Sequence, residues 1–397
     1  MFGGLKNRLA QKLSEKGAQI QRDLGMLVKG IRGDSAPTFT ERHDKRDEPV
    51  TLHGRKLQIQ EVVRETPNAV SLVLVDPTGA PIEFQAGQFF TLAWPPKSRV
   101  TATTFEKRAY SASSSPLDTS RVTVTIKRVE GGKVSSAIHA TAAAGDVVEV
   151  LGPSGAFTIP DGDGDLVLFG GGSGITPLMS ITRTVLEGPG SKERRVFLVF
   201  GNRSEEEIIF DKALTELVAA HPERLFVRHV LETKGSRESA EGRLEQAVVD
   251  AELDRLGDKP RAPHYFLCGP EPMMNAAEQA LLGRGVPAAK IRIERFVTLR
   301  RAEGATRTEH EATVLIKGKK RSLFVSGDET LLEAGTRMGV DLPFSCTVGG
   351  CGACRVKLTG GKVTMDEPNC LSPEEAAENY ILGCVSRLDG PITVEVE

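Results

Sequence analysis

Cys346, Cys351 and Cys354 stand in the run SCTVGGCGACR with the spacing C-x4-C-x2-C, and Cys384 follows downstream in YILGCVSRL. Thiolates are soft ligands that suit both iron–sulfur clusters and zinc. A three-plus-one split with this spacing is that of a [2Fe–2S] site. Zinc sites more often pair C-x2-C knuckles two and two, and zinc stays the alternative. Gly349, Gly350 and Gly352 fill the loop between the ligands. Without side chains they let backbone N–H groups approach the cluster sulfurs, where hydrogen bonds tune the potential. Cys370 falls outside the spacing and reads as a structural or free cysteine. A [2Fe–2S] centre passes one electron at a time, so the chain must also hold a source of electrons.

Residues suited to that task lie upstream. Arg108, Ala109, Tyr110 and Ser111 open the stretch RAYSASSSP. An arginine can pair with a pyrophosphate, a tyrosine can lie against a flavin ring, and a serine can hydrogen-bond near flavin N5. Read alone, Tyr110 in a strand is as well explained as core. Further on, EGGKVSSAIH sets two glycines before a helix start with Ser135 and Ser136. Backbone N–H groups at such a start can hold phosphate oxygens, and an ordinary serine-capped helix is the alternative. LVLFGGGSGITPLMS is a stronger pattern: an apolar strand, a glycine-rich turn and a helix. Gly170, Gly171, Gly172 and Gly174 let the backbone approach a pyrophosphate at the helix N-terminus, although the spacing is not G-x-G-x-x-G. Cys268-Gly269-Pro270 closes a later strand. The C-terminal end of a parallel strand is where open α/β sheets bind ligands, and a small buried hydrophobe is the alternative reading of Cys268.

Three kinds of element must position these groups. From about Val50 to Pro160, short alternating runs such as LQIQEVVRE, VSLVLVD and RVTVTIKRV are punctuated by glycine and proline, which predicts a small β-barrel. From Asp165, buried-type strands (LVLFGGG, RRVFLVFGN, LFVRHVLE, HYFLCGP) alternate with helical stretches. That is βαβ order and a parallel sheet. After a polar linker around Arg300 to Glu311, the last segment reads as a small mixed sheet with one helix around the cysteines. The organisation is therefore an N-terminal segment over 1–33, a linker over 34–49, a barrel over 50–160, an α/β domain over 161–299, a linker over 300–311 and a final domain over 312–397.

The totals bound what the chain does. Its 397 residues suit two to three domains. A net charge of -2 argues against nucleic acid as partner. Six cysteines, four of them late and clustered, point to a metal site in a reducing compartment rather than a disulfide scaffold. No apolar run reaches membrane-spanning length, and the N-terminus lacks the pattern of a signal peptide, so a cytoplasmic protein is expected. Residues 1–33 carry seven basic residues against two acidic ones, a net of +5, opposite a helical stripe of Phe2, Leu5, Leu9, Leu13, Ile20, Leu24, Val28 and Ile31. Such a segment reads as a helix docking on a membrane surface or a partner, or as one packed on the body of the protein. Gly17, Gly25 and Gly30 weaken it.

In order along the chain, RAYS (108–111), GGKVSS (131–136), GPSGAF (152–157), GGGSGITP (170–177) and CGPEPMM (268–274) resemble the ferredoxin–NADP reductase-like flavoenzymes. The segment from Ala312 to Val396 resembles plant-type ferredoxins of β-grasp fold. The likeness spans about Val50 to Glu397, and the domain order is similar to the reductase components of multicomponent oxygenases and fatty-acid desaturases. It implies a multidomain protein: an FAD-binding β-barrel, an α/β nicotinamide-binding domain with a parallel sheet, and a C-terminal [2Fe–2S] ferredoxin domain. By that likeness Arg108, Ala109, Tyr110 and Ser111 would bind flavin, and Thr125, Ile126, Lys127, Lys133, Val134, Ser135 and Ser136 would complete the FAD site. Thr176 would lie near flavin and nicotinamide, with Thr176, Cys268, Tyr110 and Ser111 acting in hydride transfer. Gly171, Gly172, Ser173, Gly174, Asn202, Arg203, Cys268, Gly269 and Pro270 would line the dinucleotide site. The GGKVSS turn favours FAD over FMN. The implied path runs from NAD(P)H through FAD and [2Fe–2S] to an oxygenase, hydroxylase or desaturase. After the second strand of the α/β domain, Arg203 and Ser204 favour NADPH, whereas Glu205, Glu206 and Glu207 favour NADH, the alternative. The rival functions are a self-contained flavin or quinone reductase and a zinc-stabilised interaction protein. Related reductases that lack a fused ferredoxin often end in an aromatic residue over the flavin. This chain continues through IRIERF and Phe296 instead.

Overall fold

The alternating runs after Gly54 become antiparallel strands because every second residue can be buried. In β5 (Arg121–Lys127), Val122, Val124 and Ile126 are fully buried. The intervening Thr123, Thr125 and Lys127 point to the opposite face. The protein is described here by a computed structural model covering residues 54–94, 106–188, 193–296 and 308–396. Within the last stretch, 328, 345, 346, 348, 351, 367, 368, 370 and 372 are not described. The expected N-terminal helix over 1–33 and linker over 34–49 lie outside the described residues, as does most of the linker over 300–311.

The first domain joins β1 (Arg55–Thr66), β2 (Ala69–Val75), β3 (Phe89–Trp94), β4 (Glu106–Ser111), β5 and β6 (Val147–Ser154) in the order β4-β3-β6-β1-β2-β5. A bridge between Ala112 and Val124 brings the end of β4 to β5 and turns the sheet on itself. Helix α1 (Lys133–Thr141) covers one side of the resulting core with Val134, Ala137 and Ile138.

The second domain alternates β7 (Leu166–Gly171), α2 (Ile175–Glu187), β8 (Val196–Asn202), α3 (Asp211–Ala220), β9 (Leu225–Leu231), β10 (Ala240–Glu241), α4 (Gln246–Leu256), β11 (His264–Cys268), α5 (Glu271–Gly283) and β12 (Ile291–Glu294). Its parallel sheet runs β10-β9-β8-β7-β11-β12. Every residue of β7 is buried, as expected for a strand covered by helices on both faces. Strand order reverses between β7 and β11. This is the switch point outside which such sheets bind ligands.

The third domain contains β13 (His310–Ile316), β14 (Lys319–Val325), α6 (Leu331–Arg337), β15 (Arg355–Gly360), β16 (Val363–Met365), α7 (Pro373–Ala377), β17 (Tyr380–Leu382), β18 (Ser386–Leu388) and β19 (Ile392–Val396). Its main sheet runs β14-β13-β19-β15-β17. Strand β13 starts at His310, inside the expected linker, because it pairs with β14 as far as Val325. The short α7 is a second helix that the sequence pattern does not reveal. Helix α6 starts in a capping box of Thr330 and Glu333. The Leu332 N–H donates to the Gly383 carbonyl at 3.0 Å, which ties this helix to the Cys384 loop. Among the described residues, no helix is long and apolar enough to cross a membrane.

Candidate active site

Two strand ends, β4 of the barrel and β12 of the parallel sheet, bring the central groups together. Ser111, only 3% exposed at the end of β4, donates its hydroxyl hydrogen to Glu294 Oε2 at 3.1 Å. Glu294 ends β12 in register with Cys268, the last residue of β11. Cys268 is fully buried, and burial together with the Glu294 carboxyl pushes its thiol well up, so the sulfur stays protonated. Burial raises Glu294 to about 8, against the opposing effect of the Ser111 hydrogen bond. A serine hydroxyl, a carboxyl that titrates near neutrality and a neutral thiol thus meet where the two domains touch. Glu294 does not stand out in the sequence, and no motif marks it. Its only trace is its place at the end of the strand beside Cys268.

Next to Ser111, Tyr110 packs half-buried against the barrel core, and burial pushes its phenol up. Arg108, on the same face of β4, donates to the Lys107 carbonyl at 2.7 Å, while Ala109 between them is exposed. Across the barrel, Thr125 shares hydrogen bonds with Ser71 at 2.7 Å and Ser113 at 2.9 Å. Ile126 is core. Helix α1 begins at Lys133, and no side chain caps it. Ser135 lies inside the helix, where its hydroxyl accepts from the Val129 N–H at 3.1 Å, and Ser136 follows it. The start of α1 therefore offers first-turn backbone N–H groups that no capping side chain takes up. Such donors suit a phosphate group.

The glycine turn is shaped by contact of backbone with backbone. A Cβ on Gly174 would come within 2.0 Å of the Cys268 carbonyl oxygen, and one on Gly171 within 2.6 Å of Pro270 Cδ. Gly269 lies equally tight, 2.9 Å from the Gly171 nitrogen by the same measure. Gly172 has a φ of 53°. The two loops that flank the switch point thus form one cradle, with Ser173 at its rim. Thr176, 2% exposed, turns its hydroxyl back to the Ser173 carbonyl at 3.0 Å and so holds the turn rather than facing open space. At the end of β8, Asn202 is 8% exposed, and neither polar atom of its amide has a partner among the described residues. A buried amide left unpaired beside a glycine cradle fits a polar ligand lying across the strand ends. Lys127 crosses from the barrel to pair with Glu207 at 2.9 Å, its amine over Gly172. Arg203 is 71% exposed and 3.9 Å from Glu207. Phe296, two residues past Glu294, is exposed.

Of the four candidate cysteine ligands, Cys354 and Cys384 are described, while Cys346 and Cys351 lie outside the described residues, as does Cys370. The Cys354 and Cys384 sulfurs are buried and 3.2 Å apart. Two thiolates on one tetrahedral metal with bonds of about 2.3 Å stand about 3.8 Å apart. The pair is therefore spaced to share one iron with little movement. The Gly349 N–H donates to Cys384 Sγ at 3.2 Å, a backbone donor to sulfur of the kind the glycine-rich loop predicts.

Three family models match in order: "Oxidoreductase FAD-binding domain" over residues 56–159, "Oxidoreductase NAD-binding domain" over 168–279 and "2Fe-2S iron-sulfur cluster binding domain" over 314–389. The last removes the zinc reading. A protein of Mycolicibacterium smegmatis, "3-ketosteroid-9-alpha-monooxygenase, ferredoxin reductase component", is 38% identical over 367 residues, covering 88% of this chain and 98% of its own. A Pseudomonas aeruginosa protein, "Glycine betaine monooxygenase reductase subunit", is 31% identical over 336 residues, covering 79% of this chain and 87% of its own. The solved structure of phthalate dioxygenase reductase has a similar fold, with a TM-score of 0.60 at 24% identity over 86% of this chain and 97% of that one.

Proposed function

The chain belongs to the ferredoxin reductase components of oxygenase systems, and on that premise we propose how its own residues divide the work. It is an oxidoreductase that passes electrons from a nicotinamide dinucleotide through FAD and a [2Fe–2S] cluster to an oxygenase. A flavin held there would supply the conversion from paired to single electrons that a one-electron cluster requires.

The reading rests on the hydrogen bond between Ser111 and Glu294 beside Cys268. Arg108 and the N-terminal N–H groups of Lys133 to Ser136 hold the flavin phosphates. Tyr110 offers a ring face, and the backbone of Ala109, Thr125 and Ile126 lines the pocket. The Gly171–Gly174 turn, Asn202 and Cys268 to Pro270 hold the dinucleotide. Thr176 positions that turn. The neutral Cys268 thiol packs without charge where the two rings must meet. Glu294 keeps a proton at its carboxyl below about pH 8, one hydrogen bond from Ser111 Oγ. Four thiolates, Cys346, Cys351, Cys354 and Cys384, hold the cluster. In rapid mixing, Ser111→Ala slows flavin bleaching about a hundredfold while dinucleotide affinity stays within about threefold; an unchanged bleaching rate would overturn this assignment.

The acceptor is a monooxygenase-type terminal component, as in the relatives. A thiolate-held cluster suits the reducing cytoplasm. Residues 1–33 dock the enzyme on an anionic membrane surface, a reading supported by their net +5 charge and apolar stripe. Co-sedimentation with phosphatidylserine-containing vesicles tests it. Salt-sensitive binding that a chain starting at Asp34 lacks is expected, and equal sedimentation of both forms would contradict it.

A further inference from the structure

A dinucleotide with its pyrophosphate on the Gly171–Gly174 turn and its nicotinamide toward Cys268 must send its adenosine half the other way. That half crosses the ends of β8 and β9, about 10 Å over two strand spacings. There the chain extends both strands as a pair. The Glu232 N–H donates to the Asn202 carbonyl at 3.1 Å, and the Thr233 N–H to the Arg203 carbonyl at 2.8 Å. The loop that follows, Lys234-Gly235-Ser236-Arg237, folds around a single carboxylate, that of Glu205. The Arg237 backbone N–H donates to Glu205 Oε1. The Ser236 hydroxyl donates to Oε2 at 3.0 Å. A Cβ on Gly235 would sit 2.3 Å from Glu205 Cδ, so the carboxylate rests directly on glycine backbone.

Backbone N–H groups beside a glycine, with a serine hydroxyl and basic neighbours, are the parts of a phosphate nest. Here a side chain of the protein fills it. The cations around it are already engaged. Lys234 pairs with Glu241 at 3.3 Å, Arg237 with Asp211 at 2.6 Å and with His229 Nε2 at 3.1 Å, and Arg203 with Glu207 at 3.9 Å. We propose that Glu205 occupies the subsite a 2′-phosphate would need, so that the enzyme takes NADH and Glu205 is the residue that sets this preference. This rests on the reading that a nicotinamide dinucleotide lies across these strand ends. The preference for NADPH suggested by Arg203 in the sequence gives way because the one well-built anion site among the described residues there is filled from within. The nest donors hold the Glu205 carboxyl below the usual range, so its charge opposes a phosphate throughout the neutral range.

The test uses the full-length holoenzyme, with flavin content checked by its visible spectrum. Flavin reduction by NADH and by NADPH is compared for wild type, Glu205→Gln and Glu205→Ser, and 2′-AMP and 5′-AMP serve as competing probes. Wild type is expected to favour NADH by about a hundredfold in kcat/KM, a like-charge penalty of ordinary size. Against wild type, 2′-AMP should compete no better than 5′-AMP. Both variants should move the NADPH-to-NADH ratio at least about tenfold toward NADPH and strengthen 2′-AMP inhibition. A wild type that prefers NADPH, a wild type inhibited more tightly by 2′-AMP, or variants with an unchanged ratio would each overturn the proposal. Failure of both dinucleotides to bleach the wild-type flavin would instead overturn the reading of the site on which it rests.

Discussion

Glu294 and Cys268 share one corner of the site, and burial there makes both harder to ionise. A carboxyl raised to about 8 is protonated below that pH and ionised above it. If its proton serves the flavin region through Ser111, flavin reduction should fall as pH rises through about 8. Glu294→Gln should flatten that limb of the profile, and stopped-flow rates between pH 6 and 10 would read it. Cys268→Ala should slow flavin reduction about tenfold while dinucleotide affinity changes less than about twofold, because the thiol only packs there and the backbone of Cys268, which lines the dinucleotide site, is kept. Cys268 is legible in the sequence as the last residue of a buried-type strand. Glu294 is not, because its meaning comes from Ser111, which lies 183 residues away in another domain. A long-range pairing of this kind leaves no local pattern.

At the scale of elements, the strand, glycine turn and helix at 166–187 can be read directly, since only glycine permits the backbone approach seen there. Gly174→Ala would put a methyl group on the Cys268 carbonyl oxygen. It should cost about 1–3 kcal/mol of stability and abolish dinucleotide binding, measurable by thermal unfolding with and without NADH. The start of α1 is harder to read. Ser135 and Ser136 look like the helix start, yet the helix begins at Lys133 after a left-handed Gly131, and Ser135 turns inward to Val129. Lys127 is readable as the end of a strand but not as a bridge to Glu207, again a contact between domains.

For the whole molecule, the change from alternating strands to βαβ order and then to the cysteine-bearing sheet marks three domains in order, because each layer type has its own period. How the domains face one another depends on surface pairs that periodicity does not reveal. Lys107 on β4, for example, lies within electrostatic reach of Glu333 on the helix that adjoins the Cys384 loop. This brings the third domain near β4, the strand proposed to bind flavin. Electrons leave the molecule through the cluster. The most direct test compares full-length wild type with Cys384→Ser under anaerobic NADH, following flavin bleaching, the paramagnetic signal of a reduced cluster, and delivery to the oxygenase. Wild type should bleach its flavin and then develop the cluster signal. The variant should bleach its flavin at a similar rate, show no cluster signal and deliver nothing to the oxygenase. Undiminished delivery by the variant would contradict exit through the cluster.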